Sequence, residues 1–257
     1  MTQSVMSGVT PLGVGLVRPD LLGTYGDAGN AAVLAQRLRW RGRSAEIVPI
    51  GVGADIPAHV RVLVIGGGED RSQLALLDDR RLLDNLLAAV DDGVAVLGVC
   101  AGLQLLGHQF TGSDGETCAG LGLLDCTSDR LDHRAVGECI TEGRGGPMAA
   151  EEFVLTGFEN HLGRTVVGPG SSPLGRVITG IGNGDGTDGA VSISGRIVGT
   201  YMHGPVLARN PALADWLLES VLGELPPLHV PVVERLRRER LAAARRPRRR
   251  LRLGRSR

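Results

Sequence analysis

Lysine is absent from the 257 residues, so all 28 basic side chains are arginines. A phosphate-cradling loop of the form G-x-x-x-x-G-K-[S/T] is thereby excluded, because it requires a lysine. Aromatic residues make up only 3% of the chain, too few for the stacking platforms that hold single-stranded nucleic acid, and no nucleic-acid partner is expected. The four cysteines, Cys100, Cys118, Cys126 and Cys139, include no C-x-x-C pair. That argues against a zinc or iron–sulfur site, and no metal is expected. No apolar run exceeds about six residues, far short of the roughly 18 needed to cross a membrane. Met1 to Thr10 has neither a basic start nor an apolar core, so no secretory leader is expected, and a cytoplasmic location with free thiols is.

What is present suits an ordinary globular protein. Hydrophobic residues make up 42% and charged residues 22%, and the length allows one large domain, or two small ones, with a sizeable core. The formal net charge of zero hides a division. Residues 235–257 hold 12 arginines and a single acid, Glu239. The rest of the chain is left with 16 basic against 27 acidic side chains, a net of −11. An acidic body carries a basic tail.

Apolar runs alternate with helical periodicity through the first 110 residues. Strands are predicted at 12–17, 45–50, 60–65 and 94–99, and helices at 27–41, 74–90 and 101–110. Strands separated by single helices imply right-handed crossovers and a parallel sheet covered on both faces. The expected fold is an α/β, flavodoxin-like three-layer sandwich with a mostly parallel central sheet. From 111 to 194 short β-prone runs separated by Gly, Asp, Ser and Asn predict an antiparallel, loop-rich half. A further strand is predicted at 196–201 and a closing helix at 211–222, with proline in its first turn.

The segment from Val94 to Gly107 carries the most chemistry. A buried strand runs straight into a helix through Gly98-x-Cys100-x-Gly102, a thiol version of the nucleophile elbow. Small residues are needed on both sides because the turn brings backbone against backbone. At a helix N-terminus the dipole and first-turn N–H groups favour thiolate. A structural cysteine at a strand end is the plainer alternative. An acyl-transfer site also needs oxyanion donors. The N–H of Ala101 is one by position, and Gly67 and Gly68, in the glycine run ending the preceding strand, are candidates for the other. A base is needed as well. His108 lies too far along the elbow helix, and His59 and His229 belong to solvated stretches. His203, at the carboxyl end of another strand, is favoured on position, with His161 as its rival.

Gly98-Val-Cys100-Ala-Gly-Leu-Gln104-Leu-Leu-Gly107 resembles the active-site segment of class I glutamine amidotransferases, and Gly199-Thr-Tyr-Met-His203-Gly-Pro205 resembles their histidine segment. Three further stretches are similar to the cobyric-acid-synthase-like branch: Tyr25-Gly-Asp27-Ala-Gly-Asn30, Gly66-Gly-Gly-Glu-Asp70-Arg-Ser-Gln73 and Gly157-Phe-Glu-Asn-His161-x-Gly-Arg-Thr165. Within that branch they look most like the glutaminase (GatD) subunits of lipid II isoglutaminyl synthases. The resemblance spans roughly residues 12–222. It divides the chain into an amidotransferase domain, 1–230, and an Arg-rich extension, 231–257, partly helical or disordered.

The resemblance implies a glutaminase in which Cys100 forms a γ-glutamyl thioester and water then releases glutamate. The ammonia would pass to a Mur-ligase-like partner of the MurT type in a heterodimer. That partner would use ATP and Mg to activate the D-glutamate of lipid II in peptidoglycan synthesis, and no cofactor is expected in this subunit. The family binds substrate glutamine with an arginine downstream of the elbow. The corresponding residue in Cys126-Thr-Ser-Asp-Arg130-Leu is Arg130, whose planar guanidinium suits an α-carboxylate. Two alternatives are an amidotransferase for another acceptor, such as a corrinoid, and a non-catalytic scaffold. The corrinoid enzymes usually carry a synthetase domain, for which no P-loop exists here, and a scaffold need keep neither Cys100 nor His203.

One departure from the family pattern matters. Many class I amidotransferases carry His-x-Glu, whose carboxylate orients the imidazole. His203-Gly204-Pro205 has no acid, so the third member stays open: absent, reached from elsewhere in the chain, or supplied by the partner. For the extension, a solvated or disordered tail is the plain expectation, with a short helix at 232–244 ended by Pro247. Its arginines would also suit a weak contact with anionic lipid headgroups at the inner face of the plasma membrane.

Overall fold

The computed structural model describes residues 10–23, 26–143 and 153–244. The first half runs β1 (Leu12–Val17), α1 (Ala28–Trp40), β2 (Ala45–Ile50), β3 (Val60–Ile65), α2 (Asp70–Leu77), α3 (Arg80–Asp91), β4 (Ala95–Val99) and α4 (Ala101–Leu106). It continues as β5 (Gln109–Thr111), β6 (Thr117–Ala119), β7 (Cys126–Gly143), β8 (Phe153–Val167), β9 (Ser171–Ser172), β10 (Gly175–Thr179), β11 (Thr187–Asp188), β12 (Ala190–Ser192) and β13 (Ile197–Thr200). Three helices follow: α5 (Val206–Arg209), α6 (Pro211–Leu222) and α7 (Pro231–Ala244).

Strands pair in the order β2-β1-β3-β4-β13-β12-β9. The first five are parallel, and β12 and β9 close the sheet antiparallel. Alternation along each buried strand feeds two separate cores. Val62 and Val64 of β3 pack in a cluster with Leu34 and Leu38 of α1 and Leu213 and Leu217 of α6. Leu63 and Ile65 pack in another with Leu82 and Leu86 of α3 and Leu103 and Leu106 of α4. Helices thus cover both faces, giving the expected three-layer α/β sandwich with a mostly parallel sheet. In a doubly wound sheet of this order, sites form outside the carboxyl ends of the strands where the order reverses, here above β1 and β3.

The segments after α4 and β6 build a second sheet, β11-β10-β7-β5-β6, with β8 paired along β7. Its centre is one long antiparallel hairpin of 18 and 15 residues, longer than any run legible in the sequence. The β7–β8 register breaks between Arg130 and Ala135, and a break of this kind bends a strand and re-aims its side chains.

Two predicted helices are shorter than expected. The stretch 74–90 is two helices, because Asp79 caps a new one by accepting the Leu82 N–H at 3.2 Å, while its other oxygen takes the Gly53 N–H at 2.8 Å. The elbow helix stops at Leu106 rather than running to 110. At His108 the backbone N–H turns to the Cys126 carbonyl at 2.8 Å, and the chain enters β5. The extension also departs from a wholly solvated tail. Helix α7 packs against α5, β7 and β8, turning Val233, Arg237 and Leu241 inward and leaving Arg235, Leu236 and Arg238 exposed. Pro247 and the other arginines of 245–257 lie outside the described residues, as does Tyr25.

Close backbone approach at the elbow makes a direct test of this packing. A Cβ on Gly102 would overlap the Ile65 carbonyl oxygen at the end of β3, a backbone atom that has no way to yield cheaply. Overpacking of this sort typically costs about 1–3 kcal/mol. Gly102→Ala is therefore expected to lower Tm by several degrees in a thermal melt; an unchanged Tm would mean that the elbow is looser than described.

Candidate active site

Cys100 sits between the carboxyl end of β4 and the first residue of α4, with φ 55° and ψ −103°. Residues other than glycine rarely hold such a conformation, and when they do it tends to be at functional sites. The turn is pinned by the Cys100 N–H donating to the Thr200 carbonyl at 2.8 Å, across to the neighbouring strand β13. The other cysteines differ. Cys126 and Cys139 are buried; burial pushes the Cys126 thiol up to about 12 and Cys139 higher still. Cys118 is raised by burial and by the nearby acids Asp114, Glu116 and Asp70. Of the four, Cys100 alone lines the main cleft.

Three residues after β13, His203 is almost wholly enclosed, at 2% exposure. Its Nδ1 lies 3.1 Å from both carboxylate oxygens of Asp27. A carboxylate only accepts, so Nδ1–H is the donor. The same imidazole interacts with the Cys100 side chain. Burial works against the charged ring, but the Asp27 bond and the Cys100 contact outweigh it and lift the His203 pKa to about 9. The open third position is thus filled from within the chain, by an acid 176 residues away.

The glycine run at the end of β3 has a different task from the one expected of it. The Gly67 N–H donates to Asp27 Oδ2 at 2.9 Å, so it holds the carboxylate and is not available as an oxyanion donor. A side chain there would also be ruinous. A Cβ on Gly67 would stand 2.8 Å from His203 Cε1, 3.1 Å from Asp27 Oδ2 and 3.4 Å from Cys100 Cβ. Gly68, which lines the cleft, and Ala101, whose N–H opens α4 and has no partner within the helix, remain as candidate donors.

The short motifs around these residues now acquire physical roles. In Asp27-Ala-Gly-Asn30, Asp27 takes the imidazole, and the Asn30 side chain accepts the Leu207 N–H at 2.9 Å, starting α5. Between them Gly29 leaves room for the ring of Pro205. In Gly157-Phe-Glu-Asn-His161, the Phe158 backbone pairs in both directions with that of His203, at 3.0 and 2.9 Å. Glu159 takes the N–H groups of Ile181 and Gly182, each at 2.9 Å. His161, the rival base, donates Nδ1–H to the Gly163 carbonyl at 3.0 Å and stacks on Tyr201 with centroids 3.9 Å apart. It lines the cleft as a structural ring. His108 bonds Asp125 on the surface.

Cys100 and Arg130 line one cleft of about 410 Å³, together with Gln104, Arg71, Arg134 and Asn160. Arg130 stands at the register break of the β7–β8 hairpin, opposite Gly163. Arg134, beyond the break, is held by Asn160 at 2.7 Å. Among the described residues no carboxylate lies within ion-pair distance of the Arg130 guanidinium, and none of them forms a group of three or more His, Cys, Asp or Glu placed to hold a metal. The cleft thus holds a thiol and a cation, and the enclosed imidazole bonded to Asp27 interacts with that thiol.

The fold that carries this thiol elbow, with a histidine just after the adjoining strand, is shared with glutamine amidotransferases of known structure. A crystal structure of one such enzyme superposes with a TM-score of 0.54 at 19% identity, over 81% of this chain and 98% of that one. The chain belongs to the family of CobB/CobQ-like glutamine amidotransferase domains, whose profile matches residues 13–211. It is similar to the GatD subunit of the glutamine-hydrolyzing lipid II isoglutaminyl synthase of Staphylococcus aureus, 35% identical over 204 residues that make up 78% of this chain and 80% of that one. The GatD subunit of Streptococcus pneumoniae is 33% identical over 211 residues, 79% of this chain and 77% of that one.

The raised His203 pKa makes the site a pH-dependent element of stability. A histidine pKa lifted from 6.5 to about 9 by the fold contributes stability fully below pH 6.5, and that contribution is lost as pH rises through about 9. The Tm gap between the wild type and Asp27→Asn is expected to be wide at pH 6 and narrower at pH 10. A gap independent of pH would show that Asp27 does not hold a charged His203.

Proposed function

We propose that this chain is the glutaminase subunit of a lipid II isoglutaminyl synthase, supplying ammonia to a MurT-type ligase. Two GatD relatives, each matched over more than three-quarters of both chains, support the assignment. The observation that carries it is the Asp27–His203–Cys100 constellation opening into a cleft that also holds Arg130. ATP and Mg would belong to the ligase, which would amidate the D-glutamate of lipid II in the cytoplasm, near the membrane face where that substrate resides.

The chemistry follows from what each group can do. Arg130 pairs with the α-carboxylate of L-glutamine and brings the side-chain amide over the elbow. The one proton shared by Cys100 and His203 rests on the imidazole, which Asp27 holds in the charged form, as the sulfur attacks the amide carbon. The resulting oxyanion is met by the N–H of Ala101 and Gly68. The proton on His203 then goes to the amide nitrogen, the C–N bond breaks, and ammonia leaves a γ-glutamyl thioester on Cys100. Water next attacks the thioester carbon and gives a proton to His203. The C–S bond breaks, glutamate departs, and the shared proton is back on the Cys100–His203 pair for the next turnover. Asp27 stabilises the imidazolium at each transfer and fixes its tautomer.

Ammonia release with the partner ligase present tests the assignment. Cys100→Ser is expected to abolish hydrolysis without unfolding the chain, and a glutamine-like chloroketone is expected to label Cys100 and spare the other three cysteines. His203→Ala is expected to lose about 10²–10⁴-fold, with His161→Ala costing far less; the reverse order would move the base to His161. Charge-assisted hydrogen bonds are worth about 1.5–3 kcal/mol, so Arg130→Ala is expected to raise KM for glutamine at least about tenfold, with little recovery in Arg130→Lys. Alkylation of Cys100 by a small neutral reagent is expected to persist in both. An unchanged KM would place the carboxylate elsewhere, and ammonia release that never amidates lipid II when ligase and ATP are supplied would rule out this acceptor.

A further inference from the structure

Helix α7 lies beyond residue 211, where the family profile ends, yet it reaches into the support of the active site. Arg237 Nη1 donates to the Arg209 carbonyl and to Asn210 Oδ1, each at 3.0 Å, and Nη2 donates to the Val154 carbonyl. All three acceptors are neutral. No carboxylate among the described residues lies within ion-pair distance of Arg237. A half-buried cation whose protein partners are all oxygen dipoles is costly to place, and it depends on those acceptors being fixed.

The acceptors lead directly to His203. Asn210 is 1% exposed. Its Oδ1 also takes the Thr156 N–H at 2.9 Å, and its Nδ2 donates to the carbonyls of Thr156 and Val206, both at 2.8 Å. Thr156 is two residues before Phe158, whose backbone pairs with His203. Val206 is three residues after His203. Arg237 therefore closes a hydrogen-bonded arch over both segments that flank the histidine. Arg209, at the foot of the arch, is further tied to Glu138 of β7 at 2.6 Å. From the opposite side, Asp27 and Asn30 grip the same segment.

We infer that Arg237 is a positioning residue for His203, and that the Arg-rich extension contributes through α7 to the active site rather than trailing from it. This rests on His203 being the base. A reacting pair tolerates little displacement, since a misplacement of about 1 Å can cost on the order of 10²-fold in rate. The cleft around Arg130 does not include the arch, so loss of the brace should act on kcat and leave glutamine binding nearly intact.

The test compares Arg237→Ala, Arg237→Lys, Arg235→Ala and His203→Ala in the full chain with the partner ligase, following ammonia release against pH. Arg237→Ala is expected to lower kcat about tenfold or more while KM stays within twofold. Its rate should also fall off at a pH well below the value near 9 set by His203, because the ring is no longer pressed onto Asp27. Arg237→Lys should recover part of both effects, and Arg235→Ala, on the exposed side of α7, should match the wild type. A folded Arg237→Ala with wild-type kcat and pH profile overturns the inference. So does a variant that loses only Tm. Should Arg237→Ala not fold, Arg237→Lys decides: wild-type kcat with an unmoved alkaline fall overturns the brace. An active His203→Ala would instead refute the base assignment itself, whereas an inactive His203→Ala beside a normal Arg237→Ala refutes the brace alone.

Discussion

The Asp27 carboxylate is completely buried, and a buried charge survives only where its surroundings pair it. Two groups do so, the imidazole of His203 and the N–H of Gly67, and the rest of the site is arranged around that exchange. The imidazole keeps its proton because the carboxylate is there. The carboxylate stays in place because β3 ends in glycines that let the backbone close on it. A second carbon at position 67 would press on His203, Asp27 and Cys100 together. The tightness of this corner explains why the elbow and the glycine run are built from small residues.

Two sheets divide the labour. The parallel sheet brings β1, β3, β4 and β13 side by side, so that Asp27, Gly67, Cys100 and His203 follow their carboxyl ends within one corner. The second sheet brings Arg130 to the cleft and pairs with the backbone of the histidine. Its β7–β8 hairpin breaks register at Arg130, and the same hairpin supplies the Phe158 backbone that pairs with His203. One element therefore links Arg130, the proposed glutamine clamp, to His203, the proposed base. In the proposed reaction that joins catalytic geometry to substrate placement, and α7 adds contacts from outside the matched domain.

Much of the fold was legible because it is written locally. Buried parallel strands are short apolar runs, and β1 and β3 begin and end where those runs do; the edge strand β2, more exposed, keeps its expected bounds as well. The elbow announces itself in Gly98-x-Cys100-x-Gly102, since steric crowding leaves few alternatives. The long β7–β8 hairpin was not legible, because charged residues such as Arg130, Asp132 and Arg134 interrupt its alternation at the break. Asp27 was visible only as part of a short motif. Nothing local marks its role, which depends on a partner 176 residues away. The misassigned task of Gly67 has the same origin, for the N–H direction in a glycine turn is set by what the turn packs against. Helix α7 was expected as a helix, but its docking turns Val233, Arg237 and Leu241 inward, and composition does not distinguish Arg237 from the other arginines of the extension.

The central claim is that Asp27 keeps His203 charged beside the Cys100 thiol. NMR titration of the chain with ¹⁵N-labelled histidine, with His203→Ala used to assign the signal, tests it most directly. The His203 ring nitrogens are expected to hold the imidazolium signature up to about pH 9 and, in Asp27→Asn, to lose it much closer to the ordinary histidine value of about 6.5. A wild-type His203 that titrates near 6.5, or one that Asp27→Asn leaves unmoved, would contradict the account.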